Sequence, residues 1–249
     1  MTLAPERFFD GPQLALAQAI QRGDLAAVRA LAPQTDLRAY GAQQSTLLHY
    51  ALHEALSRDA GRLDVMRELV ACDPAIVHLH GARIGTVYEV ALGSIYPDFL
   101  EALLDGGVSP DARAYDDSVP GIMAAALDGR IGTVRLLLDR GAQVDARNDV
   151  GDTAAFRALT GLHLDVLDVL LERGASVRAV NRLGVSFLYT LSLTIEDTYD
   201  DSPERARLTA LRDRVAWSDG LWPPLPPASE REAMRARGEE PIVPHGQAR

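Results

Sequence analysis

The stretch RIGTVRLLLDRGAQVDARNDVGDT, from Arg130 to Thr153, is written again as LHLDVLDVLLERGASVRAVNRLGVS, from Leu162 to Ser186, in register 33 residues later. In each copy an apolar run ends in Arg-Gly-Ala, at Arg140-Gly141-Ala142 and Arg173-Gly174-Ala175. Glycine just past a helix supplies the left-handed cap that other residues resist. Val144 and Val177 follow, then short polar segments reach Gly151 and Gly184, and Thr153 and Ser186 stand where helix N-caps belong. Val134, Leu136, Leu137 and Leu138 in one copy, and Leu164, Val166, Leu167, Leu170 and Leu171 in the other, follow helical spacing and read as core. A fixed period of this length predicts stacked helical units rather than a closed catalytic fold.

The same grammar extends upstream. PDFLEALLDGGVSPDARAYDD (Pro97–Asp117) stops at Gly106-Gly107, LDVMRELVACDP (Leu63–Pro74) stops at Asp73-Pro74, and GDLAAVRALAP (Gly23–Pro33) follows a first helix at Gln13–Arg22. First helices are expected to start near Leu14, Thr46, Thr86, Pro120, Thr153 and Ser186, at spacings of 32, 40, 34, 33 and 33. About six extra residues before Gly61, in TLLHYALHEALSRDAGR, explain the long spacing as an extended helix.

Thr46-Leu47-Leu48-His49-Tyr50-Ala51 resembles the ankyrin opening T-P-L-H-x-A, with Leu47 in place of proline. Thr153–Ala158 and Thr86–Ala91 keep the threonine and alanine without the histidine. The closing phrase L-L-x-x-G-A is matched by Leu137–Ala142 and Leu170–Ala175, and loosely by Leu103–Val108. The resemblance covers residues 12–192. It implies an all-α ankyrin-repeat solenoid of stacked helix-turn-helix units, about five to six repeats with a six-residue extension near 55–60. An N-terminal segment (1–11) precedes it. An acidic loop with a capping helix (193–216) and a Pro-rich C-terminal tail (217–249) follow. LWPPLPP (Leu221–Pro227) reads as polyproline, and Trp217 and Trp222 favour partial packing of the tail on the array.

Formal net charge is −10. That disfavours nucleic acid, which needs a basic stripe, and favours a basic protein partner. All 25 basic residues are arginine. Schiff-base chemistry, a lysine general base and a Walker-type loop are thereby excluded. The same bias fits a GC-rich, bacterial genome. One cysteine, Cys72, precludes an intrachain disulfide, and the N-terminus lacks a signal-peptide pattern, so the expected location is cytoplasmic. No apolar run approaches a membrane span.

Candidate chemistry is sparse. His49 and His53 lie at i, i+4 beside Glu54, a spacing that can present two imidazoles to a metal. His49, however, falls on the motif histidine that the resemblance assigns to bonding between repeats. His163 matches a helix-linking histidine of the family. His78 and His80 lie in a linker. Glu196, Asp197, Asp200, Asp201 and Glu204 lack the glycine and terminal glutamate of an EF-hand. Cys72 has no histidine close by in sequence, and no G-x-G-x-x-G follows a strand. No cofactor, metal or catalytic residue is expected.

The family resemblance instead implies binding through loop tips and inner helices on the concave side. The matching positions are Arg113, Tyr115 and Asp116; Arg147, Asp149 and Val150; and Val180, Arg182 and Leu183. The expected function is non-catalytic protein binding. Alternatives are an immunity-type inhibitor of a basic toxin or nuclease, a secreted host-directed effector and, from another class, a metal-dependent hydrolase.

Overall fold

The computed structural model describes residues 3–57, 59–81, 84–115, 117–215 and 222–244. Contacts divide the chain into two units, Met1–Ala114 and Tyr115–Arg249. In both, helices come in pairs, as the glycine stops predict.

The first unit contains α1 (Gly11–Arg22), α2 (Leu25–Leu31), α3 (Leu47–Glu54), α4 (Ala60–Cys72), α5 (Val87–Gly93) and α6 (Asp98–Asp105). The first helices of the pairs form one layer, α1 against α3 and α3 against α5. The second helices form another, α2 against α4 and α4 against α6. Leu16, Ile20, Leu47, Met66, Leu69, Tyr88, Leu100 and Leu103 are fully buried between them. Each such side chain contributes about 1.5–3 kcal/mol of apolar burial. The α4–α6 approach is close because Gly106 carries no side chain: a Cβ there would stand 2.8 Å from Val70. The N-terminal segment folds back over this layer, with the Phe9 ring edge-on to Tyr50 at 5.7 Å. A short antiparallel pair, β1 (His80–Gly81) and β2 (Gly85–Thr86), leads into α5, and β3 (Arg113–Ala114) ends the unit.

The second unit begins with β4 (Val119–Pro120) and continues through α7 (Gly121–Leu127), α8 (Ile131–Asp139), α9 (Ala154–Thr160), α10 (Leu164–Glu172), α11 (Phe187–Asp197), α12 (Pro203–Val215) and α13 (Pro227–Ala236). Again α7, α9 and α11 pack in one layer, while α8 packs on α10. Ala124, Ala125 and Ala126 of α7 and Ala154, Ala155 and Ala158 of α9 are buried, and their small side chains let the first helices approach. Phe156 meets Phe187 edge-on at 6.0 Å.

The caps follow the sequence with one exception. Thr46 and Ser186 accept hydrogen bonds from His49 and Tyr189 N–H, and Thr86 forms a reciprocal capping box with Glu89. Thr153 occupies the matching position before α9, yet its hydroxyl makes no cap bond and is buried without a partner. Gly141 and Gly174, each at φ 89°, take the left-handed conformation that their position demands.

Three segments differ in detail from the sequence reading. The extra residues near 55–60 do not lengthen α3, which ends at Glu54; they form a 3-10 turn at Ala55–Ser57 and precede a long α4. The acidic segment is partly helical, since α11 runs to Asp197, and Arg205 donates to the carbonyls of Ile195 and Thr198 at its end. The tail contains a helix, α13, that the prolines disguised. Pro227 sits in its first turn, where a missing N–H costs nothing. Trp217 lies outside the described residues. Trp222 packs under the Arg212 guanidinium, 5.7 Å from the ring centre.

Candidate protein-interaction surface

The loops joining α8 to α9 and α10 to α11 carry two thirds of the expected contact row. Each is folded around an asparagine. Asn148 Oδ1 accepts from Asp152 N–H at 2.9 Å, and Gly151 N–H donates to Asn148 O at 2.9 Å. One period later Asn181, only 5% exposed, accepts from both Leu183 and Val185 N–H at 3.0 Å and donates from Nδ2 to Asp152 Oδ1 at 2.8 Å. An amide side chain that takes two main-chain donors and gives one proton fixes a tight turn without a sheet. These asparagines were missed by the sequence reading. Their signal is identity at the same phase, three residues before glycine, in a segment where the flanking residues differ.

The two loops are also tied to each other. Arg147 Nη1 donates to Gly151 O in its own loop and to Val180 O in the next, both at 2.8 Å. Arg182 replies from the other side, its N–H to Val150 O at 2.8 Å and its Nη1 to Asp149 O at 3.1 Å. The Asp145 carboxylate accepts from Ser176 N–H at 3.0 Å. Hydrogen bonds from a charged donor are about twice as strong as neutral ones, so the loops are held as one ledge.

The expected contact residues are therefore placed as follows. Arg147, Asp149, Val150, Val180 and Arg182 come together on this ledge, with Arg147, Asp149 and Arg182 exposed and the valines half-buried. Leu183 is half-buried, and its carbonyl accepts from Arg231 of α13 at 2.9 Å. Arg113 is half-buried at the end of the first unit. Tyr115 is 53% exposed and left-handed at φ 53°. Asp116 lies outside the described residues. The two loop arginines are thus scaffold as well as surface, which sequence could not show because their acceptors are main-chain carbonyls. Large exposed apolar groups also stand in or beside the turns within helix pairs, as Ile95, Leu127, Leu162 and Tyr199 do, and on other loops, as Tyr40 and Ile84 do.

Among the described residues His49, His78 and His163 serve packing, while His53 is half-exposed with its Nδ1 3.6 Å from Glu54 Oε1. His49 is buried; its Nε2 faces Gly85 O at 3.0 Å and its Nδ1 faces Thr46 Oγ1 at 2.8 Å. A carbonyl only accepts, so Nε2 carries the proton and Nδ1 accepts from the threonine hydroxyl. With both nitrogens engaged, His49 has none to offer a metal. Among the described residues no group of three or more His, Cys, Asp or Glu could hold one. His163 sits against Gly129 and Gly161, where a Cβ would stand 2.6 and 2.7 Å from its ring. His78 stacks edge-on to Tyr88 at 5.3 Å, and His80 lies in β1. Cys72 is exposed, and partial desolvation and then Glu68 raise its pKa, which disfavours a nucleophilic thiolate.

Burial pushes the His49 pKa below its ordinary 6.5, against the opposing pull of the Gly85 carbonyl. Because the folded pKa is the lower one, the unfolded chain protonates first as pH falls. Stability from this residue is complete above about pH 6.5 and declines below it. Urea unfolding midpoints at pH 7.5 and 5.5 are expected to separate in the native chain and to move closer in His49→Asn. An equal separation in both chains would show that other groups set the acid limit.

The model for ankyrin repeats (many copies) matches residues 122–171, which hold α8, α9 and the first of the two loops. Protein PhlB of Serratia liquefaciens is 36% identical over 178 residues, covering 71% of this chain and 60% of that protein, so the chain spans about 60% of PhlB's length. The solved ankyrin repeat domain of Bcl-3, a member of the IkappaB family, superposes with a TM-score of 0.56 at 28% identity over 78% of this chain and 88% of that one. Another solved ankyrin repeat protein gives 0.53 at 20% identity, over 79% and 96%, and speaks to the fold alone. Ankyrin repeats are a general protein–protein interaction module. No described helix is long and apolar enough to cross a membrane. The paired helices, their phase and these likenesses agree: the chain is built of ankyrin repeats, matched by the family's model over residues 122–171 and by the fold of the solved ankyrin repeat proteins.

Proposed function

We propose that the chain is a non-catalytic scaffold that binds a protein partner through its loop row and the inner helices of a concave face. The observation that carries this reading is the hydrogen-bonded ledge of residues 145–152 and 176–185. A surface already ordered loses little conformational entropy when a partner docks. Exposed Tyr115, Asp149 and Arg182 belong to residue types that suit specific contacts there. The net charge of −10 favours a basic partner by steering encounter, and capture of a basic toxin is one form that such binding can take.

A photo-crosslinking residue placed at Tyr115 or Asp149, in cells of the source organism, is expected to yield a discrete protein adduct. The same probe at Leu127 or Leu162, in the apolar turns, is expected to yield none. Adducts from the turns alone would overturn the reading. Recovery that falls steeply with added salt marks the partner as basic; indifference to salt excludes the electrostatic part.

A further inference from the structure

The C-terminal segment 222–244 occupies the place that another repeat's loop would take. In the ledge, Asp149 O accepts from Arg182 Nη1, Val150 O accepts from Arg182 N–H, and the face of Gly151 is covered by Asn181 and Arg182. One period later the tail meets the two equivalent carbonyls and the equivalent glycine face, with the main-chain and guanidinium donors exchanged between the carbonyls. Arg182 O accepts from Ile242 N–H at 2.5 Å, and Leu183 O accepts from Arg231 Nη1 at 2.9 Å. Gly184 is covered by Pro227 and Arg231, so closely that a Cβ would stand 2.6 Å from each. A segment with no repeat sequence thus supplies the donors that a repeat supplies.

Its hold is thin. In residues 222–244 only Arg231 and Met234 are buried. Beneath Pro223, Pro224 and Leu225 a cleft of about 510 Å³ separates the chain from Val177, Val180 and Leu188. Few buried apolar contacts place a segment at the low end of the local stability range.

We infer that the carbonyls of Arg182 and Leu183, with the apolar cleft beside them, form a docking edge for a short arginine-bearing helix followed by extended chain. Residues 222–244 hold that edge in the free protein and give it up to a protein partner presenting the same two donors. The partner's part of this rests on the loop row being the contact surface; exchange of the tail does not. Displacement therefore sets a threshold: the partner must outbid the resident segment, and its apparent affinity falls by the fraction of chains with the edge open.

The test uses a fluorescein-labelled peptide of residues 222–244 and two full-length proteins, the native chain and Arg231→Met/Ile242→Pro. The first change removes the guanidinium and keeps an unbranched packing chain; the second removes the N–H, replaces the isoleucine side chain by a ring and fixes φ near its extended-chain value. By fluorescence anisotropy the peptide is expected to bind the double variant, and the native chain at least about tenfold more weakly. A peptide carrying Arg231→Met should lose binding. Binding to neither protein, or to both alike, would overturn the inference. Hydrogen exchange on the native chain gives a second readout that needs no variant. The Ile242 amide should exchange well before the core amides of α9 and α10; exchange at the same rate would make the segment an inseparable part of the fold. No partner enters either measurement, so their failure is distinct from failure of the loop-row reading.

Discussion

Replacing Asn181 with alanine is expected to destabilise the second unit by about 3 kcal/mol, since a lost acceptor leaves each buried donor short by about 1–3 kcal/mol. The side chain is 5% exposed, and its removal strands Leu183 and Val185 N–H together with one contact to Asp152. Asn148→Ala at the equivalent position strands only Asp152 N–H, in a half-buried site, and should cost about 1 kcal/mol. Urea unfolding of both variants checks the order. Equal costs would mean that water replaces the amide at Asn181 and that the ledge does not depend on it. Hydrogen exchange should localise the damage, with protection lost across residues 181–186 before α9 and α10 are affected.

Gly184→Ala is expected to cost more than Gly174→Ala, although both glycines are left-handed, at φ 77° and 89°. At Gly174 nothing lies within 4 Å of an added Cβ, so alanine there carries the backbone strain alone, about 1–2 kcal/mol. At Gly184 the same methyl also meets Pro227 O and Arg231 Cγ at 2.6 Å, and overpacking adds about 1–3 kcal/mol. The excess can be relieved by release of α13. The variant should therefore combine a lower unfolding midpoint with fast exchange of residues 227–244. A Gly184→Ala chain no less stable than Gly174→Ala, with its tail protected, would contradict the packing described for α13.

Much of this architecture is legible in the sequence because glycine and helix period report local physics. Gly141 and Gly174 must be left-handed wherever the chain goes next, and the apolar spacing of 164–171 has one buried solution. Thr46, Thr86 and Ser186 act on their own helix ends and read equally well. Thr153 stands before its helix as they do, yet its hydroxyl makes no cap bond. The phase of the repeat marks the loops of the ledge but not the bonds that hold them. Arg147 and Arg182 look like free arms, yet their acceptors are carbonyls 33 residues away, and main-chain acceptors leave no trace in residue identity. The tail was the least legible part. Arg231 is 8% exposed and donates to the carbonyl of Leu183, an acceptor that residue identity does not mark.

The bonds that the tail makes to Arg182 and Leu183 also bear on how long such a protein can grow. A stack of repeats ends on a face unlike the one it began with, and a contact between unlike faces does not close on itself but can propagate copy after copy into a filament. Here the final loop has its carbonyls already answered from within the same molecule. While it is seated, the tail acts as a chain terminator does in polymer chemistry, competing with a second copy for the two carbonyls it holds.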